Sequence, residues 1–162
     1  MDIKEALKSL ISFVETNQEL IGPISLSRYK SPIDACNFHL EYKALSQELG
    51  NQDGRVEGIY LYYSKDDDVI LYVGISNDIY TRFLRHIGRG FSFGEKCSFP
   101  NFDLIEMYQG WCSDEAKQIL RSGAFFVEAI RVHPFEAARL LESFIIYRGF
   151  FKGSKPELNV TF

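Results

Sequence analysis

The sequence predicts an α/β fold: a small, mainly antiparallel three-stranded sheet flanked by helices, with a helical extension ahead of it. Three observations predict it. Gly58–Ser64 (GIYLYYS) and Val69–Ile75 (VILYVGI) are dense in Tyr, Ile, Leu and Val, residues that suit a pleated, half-buried surface. Only Lys65-Asp66-Asp67-Asp68 separates them, a polar turn that makes the pair an antiparallel hairpin. Ala124–Val132 (AFFVEAIRV) reads as a third strand, and segments of helical periodicity surround all three, in the order ααββα-loop-αβα.

The elements follow in order. Ile3, Leu7, Leu10, Ile11 and Val14 form an apolar stripe over residues 2–20, and Gly22-Pro23 ends that helix. Ser25–Ser31 is a loop or short extended piece. Ser31-Pro32 supplies N-cap and first-turn chemistry for a second helix over Ile33–Leu49, which Gly50 ends. After the hairpin, Ser76 or Asn77 caps a third helix with Asp78 in its first turn. Arg82 and His86, four apart, share one face of it. Gly88 to Cys112 is irregular and studded with aromatics, most of which read as a satellite core. Ser113 opens a short helix that Gly123 closes. The last clear helix runs from Pro134 to Arg148, with Ala138, Leu141, Phe144 and Ile145 inward and Glu142 at the edge of that stripe.

At 162 residues the chain suits one core, and 46% hydrophobic with 25% charged residues is ordinary globular composition. No apolar run reaches the roughly 18–20 residues that span a bilayer, so no membrane partner is expected. Residues 1–55 read as a helical extension packed on a domain of residues 56–162. The alternative is a recognition or dimerisation element built on Arg28, Tyr29 and Lys30. Cys36, Cys97 and Cys112 are odd in number and lack a CxxC, which predicts reduced thiols in a cytoplasmic protein. A net charge of −4 argues against a protein that coats nucleic acid indiscriminately. It leaves room for a local basic site, and Arg82, Arg85, Arg89 and Lys96 cluster beside the hairpin. Phe91 and Phe93, between Arg89 and Lys96, are the candidates for stacking on bases.

Gly58-Ile59-Tyr60, eleven residues, Tyr72-Val73-Gly74, then Arg82 and His86, Leu141-Glu142, and Pro156-x-x-Asn159 stand in an order that resembles the GIY-YIG nuclease superfamily. The resemblance spans Glu57 to Asn159 and implies a three-stranded sheet flanked by helices. It implies a metal-dependent endonuclease acting on DNA, or on the same fold a silent nucleic-acid-binding or protein-interaction module. Glu142 would be the sole protein ligand of a divalent ion, Mg²⁺ or Mn²⁺. Arg82 would clamp the scissile phosphate. Tyr60, alone or with His86, would activate water, Tyr72 would orient it, and Asn159 would brace the site. Many members carry a Lys or polar residue just after the second motif, where this chain has Ile75 and Ser76.

These residue types suit the chemistry. Phosphodiester hydrolysis needs an aligned, deprotonated water and positive charge against the phosphoryl oxygens. A carboxylate that holds a hard cation and a planar guanidinium provide that charge. A tyrosine base works far from its reference pKa of about 10, whereas a histidine lies near neutrality, and sequence leaves the two as rivals. Tyr62 and Tyr63 read as packing residues.

Overall fold

The computed structural model describes residues 1–107 and 112–151. The hairpin of β3 (Gly58–Ser64) and β4 (Ile70–Ser76) is the centre of the architecture. β5 (Phe125–His133) pairs antiparallel with β3 on its other side, Tyr60 opposite Ala129 and Leu61 opposite Glu128. The sheet has five strands, two more than the sequence predicts. β1 (Ser25–Arg28) pairs with the end of β5, giving the order β1-β5-β3-β4, and β2 (Ile33–Asp34) joins β5 at Val127 and Phe126.

Those extra strands correct the reading of residues 25–49. Ser25–Arg28 is extended because β5 offers it a ladder. The second helix starts late: Ile33–Asp34 is a strand, Ala35–Asn37 a single 3₁₀ turn, and α2 covers only Phe38–Leu49. The Asp34 carboxylate, not Ser31, caps the turn, accepting from Cys36 N–H at 2.8 Å. The first 55 residues therefore place two strands in the sheet besides their helices.

Helices cover both faces. Against Tyr60, Tyr62, Phe125 and Val127 pack α2, α3 (Ile79–Ile87) and α5 (Asp114–Ser122), through Phe38, Leu45, Phe83, Ile87 and Leu120. Against Ile59, Leu61, Val73 and Ile130 pack α1 (Ile3–Ile21) and α6 (Ala138–Phe151), through Leu7, Leu10, Leu141 and Ile145. Covered on both sides, every residue of β3 is buried, which explains why its sequence is nearly continuous in large residues. α4 (Asp103–Met107) lies in the long connection, where Phe99 and Phe102 are core residues as expected. Tyr108 and Trp111 lie outside the described residues. No helix among the described residues is long and apolar enough to cross a membrane.

The expectation of reduced thiols fails at one pair. Cys36 and Cys97, far apart in sequence with a separation of 61, are joined in a disulfide. They meet because the start of α2 and the loop after α3 converge over Gly123. A Cβ there would lie 2.5 and 2.6 Å from the two sulfurs. The pairing removes the ground on which a reducing compartment is expected. Cys112 is buried and lies outside this disulfide.

Candidate active site

Strand alternation builds the site. Tyr60 and Tyr62 are two apart on β3 and point to the same face, while Tyr62 lies directly across from Tyr72 on β4. Tyr60 lies across from Gly74, and its ring covers that glycine. A Cβ at Gly74 would meet Tyr60 Oη at 2.6 Å, so the second glycine makes room for the first tyrosine. Gly58 answers a similar demand, since a Cβ there would come within 2.1 Å of the Ile130 carbonyl oxygen.

β4 leads through Ser76 into α3. Asp78 is its N-cap, accepting from Thr81 N–H at 3.1 Å and from Thr81 Oγ1 at 2.7 Å. This fixes the phase of α3, which turns Phe83 and Ile87 into the core and carries His86 among the tyrosines. The imidazole centroid lies 5.8 Å from the ring of Tyr60, 5.7 Å from Tyr62 and 5.4 Å from Tyr72. Tyr62 Oη and His86 Nδ1 are 2.8 Å apart, a buried hydrogen bond. Arg82, one turn earlier, is exposed.

The electrostatics follow from burial. Tyr60 is 1% exposed, and desolvation pushes its hydroxyl well above the usual tyrosine range. The neighbouring Tyr62 and Tyr72, and a hydrogen bond to Tyr72, push the same way, while the Arg82 guanidinium opposes them. Burial likewise raises Tyr62. Burial, aided by Arg82, lowers His86 to about 3, so its imidazole is neutral at neutral pH. The Tyr60 and Tyr62 hydroxyls and the His86 ring are thus neutral, with one exposed guanidinium acting on all three. Tyr72 is the half-buried member and opens the cluster to the surface.

The structure brings Tyr60, Tyr72, Arg82 and His86 together. Glu142 is carried by α6. Its helix packs on the opposite face through Leu141 and Ile145 and runs closest to β4, the edge strand. Phe144 of α6 stacks on Phe13 of α1, and Glu142 lies about 160° around the helix from Phe144, away from α1. The Glu142 carboxyl is half-buried, and burial raises its pKa against the field of Arg139. No described residue pairs with it or hydrogen-bonds to it. Among the described residues no three His, Cys, Asp or Glu side chains cluster as a metal centre. Asn159 lies outside the described residues.

On the outer side of α3, Arg85 and Arg89 line a shallow cleft with Leu84, Gly88, Asn101 and Asp103. Lys96 is exposed on a single 3₁₀ turn, Gly94–Lys96. Phe91 is exposed, whereas Phe93 turns inward, stacking on His39 at 4.3 Å and meeting Phe99 edge-on. Tyr62, which in sequence reads as packing, is a neighbour of the site. The signal for it lies in the spacing: two residues after Tyr60 on a strand means the same face.

Residues 56–120 match the family model of the GIY-YIG catalytic domain. No curated protein and no solved structure matches the chain. The matched stretch runs from the approach to β3 into α5, holds Tyr60, Tyr72, Arg82 and His86, and stops before β5 and α6. This central segment of the chain is therefore similar to the GIY-YIG catalytic domain.

Proposed function

We propose that the protein is a metal-dependent endonuclease that hydrolyses phosphodiester bonds in DNA. The observation that carries the reading is the closed cluster of Tyr60, Tyr72 and His86 beneath Arg82, inside the segment that matches the catalytic domain. Arg82 is exposed and presents the planar donors that suit a phosphate. Tyr60, hydrogen-bonded to Tyr72, activates the attacking water as its phenolate, the form that the Arg82 charge favours against burial. Tyr72, the most accessible of the three tyrosines, orients that water.

Mg²⁺ is commonly held by one or two carboxylates together with substrate phosphate and water. Glu142 fits such a site, since its carboxyl is partly desolvated and no described residue hydrogen-bonds or ion-pairs with it. A bound divalent ion supplies charge neutralisation at the phosphoryl and leaving oxygens. Arg85, Arg89 and Lys96, with Phe91 beside them, extend a basic footprint from Arg82 along the substrate.

A second reading, a binding module without cleavage, draws on two observations. α6, the helix that carries Glu142, packs on the face opposite the tyrosines through Leu141 and Ile145, and both candidate bases hold uncharged forms. Cleavage of duplex, branched and single-stranded DNA, and of RNA, with Mg²⁺ or Mn²⁺ decides between them. The nuclease reading expects metal-dependent cutting of DNA. Binding without cutting in every combination would hand the case to the module.

A further inference from the structure

The hydrogen bond between Tyr62 and His86 carries more than packing. Tyr62 is fully buried, and His86 Nδ1 is the one hydrogen-bond partner of its hydroxyl among the described residues. A phenol has one hydrogen to donate, whereas a neutral imidazole offers one donor nitrogen and one acceptor nitrogen. If Nδ1 carried the ring hydrogen and donated to Tyr62, the Tyr62 hydroxyl hydrogen would be left buried without an acceptor. An unmade buried hydrogen bond is costly, so that arrangement is the poorer one. If Tyr62 donates to Nδ1, its hydroxyl hydrogen is satisfied and the ring hydrogen must sit on Nε2.

We infer that Tyr62 is a positioning residue that holds His86 as the neutral Nε2–H tautomer, so that His86 offers the site a hydrogen-bond donor and not a base. The groups that face the imidazole agree with a neutral ring. Tyr60 and Tyr62, both uncharged, face it from β3, and Tyr72 faces it from β4. Phe102 adds an apolar ring at 6.5 Å, and Arg82, one turn back on α3, is the one charge among the described residues that shifts it. That charge is positive and opposes protonation. The contest between Tyr60 and His86 for the attacking water is thereby resolved. The base is then Tyr60 in its phenolate form, which takes the water proton and becomes the phenol, and Nε2–H serves an oxygen, either of the phosphate or of Tyr60 itself. The tautomer stands on the hydrogen bond alone; its part in hydrolysis rests on the nuclease reading.

Imidazole ¹⁵N–¹H NMR on the full chain tests it. The chain has three histidines, so the His86 signals are assigned by their loss in His86→Gln. The expected result is a protonated Nε2 and an unprotonated, hydrogen-bonded Nδ1, unchanged between about pH 5 and pH 8. Wild-type protein with the hydrogen on Nδ1, or an imidazolium forming within that range, overturns the inference without any variant. Tyr62→Phe keeps the ring and removes the donor, and it should give a mixture of tautomers. A single unchanged tautomer in that variant shows that Tyr62 does not set it, and overturns the positioning role. In cleavage, Tyr62→Phe should lower kcat on the order of tenfold, the worth of about one hydrogen bond, with KM nearly unchanged. If wild-type protein cuts nothing, the nuclease reading falls while the NMR result still decides the tautomer.

Discussion

The two faces of β3 are equally shut off from water, yet they are built on opposite terms. Ile59 and Leu61 face α1 and α6 with side chains that need no partner. Tyr60 and Tyr62 face α2, α3 and α5 with hydroxyls that do. A buried hydroxyl is tolerable only if it is hydrogen-bonded, and the partners found here are Tyr72 and His86. On the tyrosine face the groups that satisfy the core are therefore the groups proposed for the chemistry. On the aliphatic face packing dominates, and its polar members are the buried Glu128, paired to Arg28 at 2.8 Å across from Leu61, the Tyr63 hydroxyl, and Glu142 on α6.

Glu142→Gln tests the last of these and should have the largest effect. Gln keeps the shape and loses the charge that a cation needs. Metal-dependent cleavage should fall to background while affinity for DNA, read by gel shift, survives. A folded Glu142→Gln protein cutting at the wild-type rate would confine all function to the tyrosine face. Arg82→Ala comes next. It should reduce cleavage by about 10²–10³, the usual loss for one transition-state donor, and should weaken binding too. Loss of cleavage with binding intact would remove Arg82 from the phosphate.

Leu61→Ala probes the other face. Truncating this fully buried side chain should cost about 2–5 kcal/mol in denaturant unfolding. The specific activity of the folded fraction should be unchanged, and a matching fall in activity would break the contrast between the faces. The smallest effect belongs to Arg85→Ala combined with Arg89→Ala. The log–log salt dependence of duplex binding should become shallower by about 0.9 for each phosphate that is no longer neutralised. An unaltered slope places the footprint elsewhere.

The hairpin, α3 and α5 are legible in the sequence because local chemistry dictates them. Asp66–Asp68 form the turn, with Asp68 at φ 60°. Ser113 caps α5 by accepting from Ala116 N–H at 3.1 Å, and Gly123 closes it at φ 70°. Strands β1 and β2 are not legible, since Ser25–Arg28 and Ile33–Asp34 are too short to show alternation and become strands only against β5. Ile33 reads as helical because Ser31-Pro32 imitates a helix start. The disulfide is invisible for the same non-local reason. Of the site, the order of Tyr60, Tyr72, Arg82 and His86 is readable, but not which hydroxyl meets which nitrogen. Phe93 shows the reverse error: flanked by charge in sequence, it is claimed by His39 in space.

The bond between Cys36 and Cys97 also makes the molecule a lasso. Its ring encloses β3, β4 and α3 whole, with Tyr60, Tyr72, Arg82 and His86 inside and α1, β5 and α6 as two tails outside. Closing a ring of this size restricts the unfolded chain by roughly 4 kcal/mol on chain-entropy grounds. A protease that nicks the Lys65–Asp68 turn would leave one covalent molecule, running as a single band until a reductant parts it. Glu142 lies on a tail, so fraying from the C-terminus would take the carboxylate away and leave the tyrosine cage closed.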